Sequence, residues 1–203
     1  MSDLSILRAR DRREMPWKNG GGVTSEVFVF PADAGFDTFG WRISIATIQL
    51  SGPFSEFPGV DRRLVLLEGL LGLRIADQAA IELAPSSPPI ILAGELPAYA
   101  ELISGPVMDL NVMTRRGRFR STIEPRTLSA PVTVHNSESS TVLIATELVD
   151  VEYQGVEHKL QPRDAVLLRG ESAARISPRA SPAIVYVIEI VDLSVKPAAR
   201  DPQ

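Results

Sequence analysis

Three segments of this sequence gather the residue types that hold small charged molecules. The first runs Met15-Pro16-Trp17-Lys18-Asn19-Gly20-Gly21-Gly22-Val23-Thr24-Ser25-Glu26. Three successive glycines leave backbone N–H groups free to point at a ligand, or admit a close-packed chain. Asn19 adds an amide, Lys18 a charge and Trp17 an apolar wall. The plainer reading is a tight turn before a strand, with Trp17 anchored in a core. A P-loop is excluded, because Lys18 precedes the glycines and no helix follows. The second segment, residues 51–63, sets Ser55, Asp61 and Arg62 between two strand-like runs. Turn chemistry accounts for its Gly and Pro, and Asp61 beside Arg62 also reads as a local surface pair. The third is Asp109-Leu110-Asn111-Val112-Met113-Thr114-Arg115-Arg116. If 107–115 is a strand, Val107, Asp109, Asn111, Met113 and Arg115 share one face. That face is too polar for a dry core, so it is exposed or lines a wet cavity.

The elements that position these residues read as strands. Short runs rich in Val, Ile and Leu recur at 27–30, 41–48, 63–67, 107–113, 141–151, 165–168 and 184–191, each bounded by Gly, Pro, Ser or Asp. In 41–48 one face carries Trp41, Ile43, Ile45 and Thr47, and the other Arg42, Ser44, Ala46 and Ile48. No segment sustains a helical apolar stripe for three turns, so the fold is all-β. A faint internal repeat relates Leu83-Ala84-Pro85 to Leu160-Gln161-Pro162, 77 residues on, and Gly94-Glu95 to Gly170-Glu171, 76 residues on. Two copies of one β-unit follow, as two small barrels. The polar residues 115–140 are expected to connect the halves, giving an N-terminal barrel over 1–120 that carries the site. A mainly structural barrel then spans 121–203, with strand exchange between the halves allowed.

Composition narrows the function classes. Of 203 residues, 44% are hydrophobic and 23% charged, which is globular rather than disordered. With no cysteine, a disulfide scaffold, a thiol nucleophile and a Cys-ligated zinc are excluded. A net charge of −4 opposes nucleic-acid binding, despite the basic stretch Arg115-Arg116-Gly117-Arg118-Phe119-Arg120. The apolar runs fall far short of the ~20 residues of a membrane helix, and the first residues lack a leader's apolar region. A cytoplasmic protein with no membrane partner is expected.

The motifs W-K-N-G-G-G-x-T-x-E at 17–26, F-x-W-R-x-S-x-A at 39–46, G-P-F-S-x-F-P-G-x-D-R at 52–62, L-x-G at 67–69 and D-x-N-V-M-x-R-R at 109–116 together resemble the HutD/Ves family. The resemblance implies a double cupin, two RmlC-like jelly-roll barrels in one chain, with an accessory or regulatory role in bacterial histidine utilisation. A barrel interior would draw Trp17, Asn19, Gly21, Thr24, Glu26, Arg42, Ser44, Ser55, Asp61, Arg62, Asn111, Met113 and Arg115 toward one ligand. Arginine's planar fork suits a carboxylate, and the implied pathway offers urocanate, formiminoglutamate and formylglutamate. The expected protein therefore binds a small anionic metabolite, has no catalytic residue and forms a homodimer by covering strand edges. The alternative is a metal-independent hydrolase, lyase or isomerase acting on the same metabolites, with Glu26 or Asp61 as acid or base.

Many cupins hold a metal through two or three His and a Glu. This chain has two histidines, His135 and His158, both in its second half on segments that read as turns. The stretch where a metal cupin would offer H-x-H contains none, so no metal and no cofactor is expected. The same absence opposes deoxysugar epimerisation, which uses a His base backed by Asp. Elemental analysis of protein purified without chelator should show less than stoichiometric iron, zinc, nickel or manganese.

Overall fold

The computed structural model describes residues 3–137, 140–180 and 182–195. Among them the chain forms nineteen strands and one short 3-10 turn, and no helix long and apolar enough to cross a membrane. Two compact units result: Leu7–Arg116, and Gly117–Gln203 joined by Met1–Ile6.

The first unit contains β2 (Glu14–Pro16), β3 (Gly22–Phe30), β4 (Trp41–Ile48), β5 (Gly52–Pro53), β6 (Val60–Glu68), β7 (Leu71–Ile75), β8 (Ile81–Leu83), β9 (Ile90–Ala93), β10 (Ala98–Leu102) and β11 (Val107–Arg115). The second takes β1 (Asp3–Leu7) from the start of the chain, then β12 (Phe119–Leu128), β13 (Val132–Asn136), β14 (Ser140–Ala145), β15 (Val149–Tyr153), β16 (Val156–Leu160), β17 (Ala165–Arg169), β18 (Ser172–Pro178) and β19 (Ala183–Asp192). One sheet of the first unit runs β2-β3-β4-β11-β6-β9 and the other β5-β10-β7-β8; in the second unit the orders are β12-β19-β14-β17-β1 and β13-β18-β15-β16. Adding eight to each label converts β4-β11-β6-β9 into β12-β19-β14-β17, and β5-β10-β7-β8 into β13-β18-β15-β16. The weak sequence repeat is thus a duplicated eight-stranded jelly roll. Each roll closes over one core fed by both of its sheets. Leu64, Leu71, Leu92 and Ala100 belong to the first core, and Leu143, Val151, Val166 and Ile176 to the second.

Three expectations are corrected. Residues 115–140 are not a connection but contain β12 and β13. Phe119, Ser121 and Ile123 alternate inward, and β12 pairs with β19 at ten positions. Pro125 is tolerated there because β12 is the sheet's edge strand. The run 141–151 is two strands in different sheets. They separate at Thr146 and Glu147, whose side chains turn to the backbone of Ile184. His135 and His158 lie on β13 and β16 rather than on turns.

The sheet that bears the polar residues owes its two-faced character to β4 and β11, which are buried almost throughout. Arg42, Ser44 and Ala46 of β4 stand opposite Met113, Asn111 and Asp109 of β11, and Arg62 of β6 stands opposite Met113 from the other side. In β3, Val27 forms a bulge: Glu26 pairs with Ser44 but Phe28 with Ile43. The extra residue keeps Thr24 and Glu26 on the face of Arg42 and turns Phe28 and Phe30 to the other face, where they stack on Trp41. Below this face Leu64 is fully buried, whereas Ile91 on the edge strand β9 is 63% exposed. Leu64→Ala should therefore cost about 2–5 kcal/mol of unfolding free energy in urea titrations, and Ile91→Ala less than about 0.5 kcal/mol.

Candidate functional site

The polar face opens onto a cavity of about 640 Å³ in the first unit. Arg42, Arg62, Asp109 and Asn111 form its deep wall, with Met113 and Ala46 between them. Exposed Lys18, Asn19 and Ser55 stand at its mouth, and Trp17, Phe36, Phe54 and Phe57 supply aromatic walls.

Both deep arginines are only 5% exposed, and each guanidinium group is held by an incomplete set of partners. Arg42 donates through Nε to Glu26 Oε2 at 2.7 Å and through Nη1 to Ser44 Oγ at 3.3 Å. The Phe36 ring covers its face, 5.2 Å away. Arg62 donates through Nη1 to the Ser55 carbonyl at 3.3 Å and through Nη2 to Asn111 Oδ1 at 2.9 Å. It lies near the rings of Phe54 and Phe57, at 5.2 and 5.7 Å. Arg42 Nη2 and Arg62 Nε are buried without a hydrogen-bond partner. A buried donor left unpaired is costly, so an acceptor placed at either atom would be favoured. Asn111 continues the chain of contacts by donating Nδ2–H to Asp109 Oδ1 at 2.9 Å.

The residues singled out from sequence separate into two groups. Trp17, Asn19, Thr24, Arg42, Ser44, Ser55, Arg62, Asn111 and Met113 line the cavity; Gly21, Glu26, Asp61 and Arg115 do not. The glycine run is a turn whose polar groups are used internally. Asn19 Oδ1 accepts from the Gly21 N–H, the Gly21 carbonyl accepts from Gln49 and Leu50, and the Gly22 carbonyl accepts from Trp17. A Cβ on Gly22 would meet the Thr47 carbonyl at 2.5 Å and the Trp17 ring at 3.3 Å, so this glycine admits a close-packed chain. Trp17 then donates Nε1–H to Thr24 Oγ1 at 2.8 Å. Glu26 acts on the site through Arg42. Asp61 pairs not with Arg62 but with Arg116, whose hydrogen bond to Glu95 also holds that carboxyl down at about 2. Arg115 donates to the carbonyls of Pro58 and Asp37, bracing two loops.

Sequence reasoning left out Asp109 and the rings of Phe36, Phe54 and Phe57. The strand alternation already set Asp109 on the face of Asn111, which was the usable signal; a ring on a loop carries no periodic mark. Among the described residues no group of three or more His, Cys, Asp or Glu side chains is gathered, and both histidines lie on the second unit's smaller sheet.

Comparison with known proteins bears on most of the chain. The family model described as HutD matches residues 9–185. An uncharacterised 21.2 kDa protein encoded in the hutC 3′ region of Pseudomonas putida is 34% identical over 177 residues, covering 84% of this chain and 89% of that protein. Protein Ves of Citrobacter koseri is 40% identical over 117 residues, covering 56% of this chain and 60% of that one. The solved structure of HutD from Pseudomonas fluorescens SBW25, in a formate condition, superposes with a TM-score of 0.79 at 27% identity, over 94% of this chain and 99% of that one.

Asp109 is the unusual titrating group of the site. Burial pushes its carboxyl up to about 7, against the pull of the Arg62 charge and hydrogen bonds from Asn111 and the Ala46 backbone. In an unfolded chain the same group ionises near 3.9. Between these values the folded protein keeps a proton that the unfolded chain has lost. The stability this provides is complete below about pH 4 and disappears as pH rises through about 7. Asp109→Asn cannot ionise yet still offers Asn111 an acceptor. By calorimetry it should raise Tm above wild type by several degrees near pH 8 and change it little near pH 4.

Proposed function

The chain belongs to the HutD family, and on that premise we propose that its first barrel binds a small carboxylate metabolite of histidine degradation, acting as an accessory or regulatory protein of histidine utilisation. Membership of the family suggests the pathway. The cavity supports the ligand class. Its carrying observation is the pair of buried guanidinium groups, each with one N–H directed to no partner. A carboxylate oxygen accepts such N–H groups in the guanidinium plane, and charge-assisted bonds of this kind are the strong ones. Covered on their faces by Phe36, Phe54 and Phe57, the two groups offer only their edges, which favours a flat anion with an apolar body. Urocanate, formiminoglutamate and formylglutamate all meet that description in part.

The second reading is a metal-independent enzyme on the same metabolites. Asp61 and Glu26, the carboxylates first considered as acid or base, are held in ion pairs with Arg116 and Arg42. One observation still favours turnover: Asp109 lines the cavity and is poised near neutrality, where acid–base groups work best.

A thermal-shift panel of the three metabolites should raise the Tm of the wild-type protein with at least one of them. Arg42→Ala or Arg62→Ala should weaken that ligand's affinity by about 2–5 kcal/mol. Absence of stabilisation by every carboxylate would end the binding reading, and a ligand consumed during the assay would promote the enzyme.

A further inference from the structure

We propose that Asp109 is itself a ligand-binding residue, engaging the anion as a neutral acid, so that above neutral pH each anion enters the cavity together with one proton. The inference rests on the carboxylate-binding reading of the same cavity. Asp109 is 1% exposed and stands on the wall formed by β4, β11 and β6, opposite Ala46 on one side and Leu66 on the other. It makes no direct ion pair with Arg62. Asn111 lies between them, its Nδ2–H given to Asp109 and its Oδ1 taking the Arg62 Nη2–H. The amide thereby fixes its own orientation and stands between the carboxyl and the Arg62 guanidinium. Glu26, by contrast, meets the Arg42 guanidinium directly, with Nε 2.7 Å from Oε2.

The charges that face Asp109 can be followed element by element. From β6 comes Arg62, from β4 Arg42, whose charge Glu26 of β3 already meets, and from the segment before β3 the exposed Lys18 at the mouth. Asp109 is the only acidic side chain among the described lining residues. An anion drawn to Arg62 Nε and Arg42 Nη2 introduces a second negative charge into this desolvated wall. Two carboxylates sharing such a space do not both stay ionised. The proton comes from solvent onto Asp109, no covalent bond forms or breaks, and the resulting O–H donates to a ligand oxygen, giving a short charge-assisted bond. The site thus favours ligands that place a carboxylate or carbonyl oxygen beside Asp109. A ligand that presents a donor there meets the wrong partner.

The position of Asp109 between its two forms near neutrality makes the linkage measurable. Below about pH 7 the proton is already in place; above it, each bound anion must bring one, and affinity falls by up to tenfold per pH unit. Isothermal titration with N-formyl-L-glutamate suits the test, because its carboxylates are ionised throughout the range. Titrations near pH 6 and pH 8 would each be run in two buffers of contrasting ionisation heat. Near pH 8 the observed enthalpies should differ between buffers by close to one proton's ionisation heat, near pH 6 by little, with affinity about tenfold weaker at the higher pH. Asp109→Asn should still bind, with the same heat in both buffers and the same affinity at both pH values. Wild-type binding with equal heats in the two buffers and no change of affinity would overturn the role of Asp109 and leave the carboxylate site standing. Failure of formylglutamate, formiminoglutamate and urocanate alike to bind at either pH would overturn both.

Discussion

Two guanidinium charges taken out of water under one sheet are the constraint on which the first barrel depends. An isolated buried charge costs several kcal/mol even after relaxation, so the surroundings must return most of what water supplied. Each neighbouring element contributes one piece. A bulge in β3 delivers the Glu26 carboxylate, β4 the Ser44 hydroxyl, the loop after β5 the Ser55 carbonyl, and β11 the Asn111 amide. The loop phenylalanines close over the guanidinium faces, where the ring quadrupole attracts a cation and water is excluded. What remains uncompensated is one edge of each group.

The second barrel shows the same topology without that burden. Where β11 turns Asp109, Asn111 and Met113 inward, β19 contributes Ala183, Val185 and Val187 to an aliphatic core, joined by Leu143 and Ala145 of β14. An interior lined with methyl groups gains stability from each one that it buries. On equivalent strands, one jelly roll thus carries aliphatic side chains inward and the other carries hydrogen-bonding groups. Fold and site are separable for this reason: pairing order depends on alternation, which both copies share, and chemistry depends on which residues occupy the inward positions.

How far the amino-acid order could be followed depends on the range of the interaction concerned. Alternation over 41–48 and the polar face of 109–115 were legible because a strand's period sorts side chains by position alone. The strand β12 was hidden by the polar residues of its exposed face and by Pro125, harmless only at an edge that local pattern does not reveal. The same period would have separated Asp61 from Arg62, since neighbours on a strand cannot both face the cavity. The partner of Asp61 is Arg116, 55 residues away and fixed by the meeting of β6 and β11. Asp109 was overlooked because burial, not residue type, makes it unusual, and burial arises only when both flanking strands are in place. The glycines misled in the opposite direction: their N–H groups are free in principle, but Asn19 and the turn itself occupy them.

The extra residue at Val27 has a consequence for how kinship among such chains is judged. Val27 pairs with no residue of β4, while Glu26 opposite Ser44 and Phe28 opposite Ile43 already lie on opposite faces, so its loss would close the ladder without moving either. In an alignment this is a single gap, and it leaves the Glu26 contact to Arg42 and the aromatic stack on Trp41 where they are. Drawing Val27 into the ladder without that loss would instead slide one side of β3 by a position and exchange its faces. Equal length at this one position is therefore a weaker sign of shared ligand chemistry than the pairing of Glu26 with Ser44.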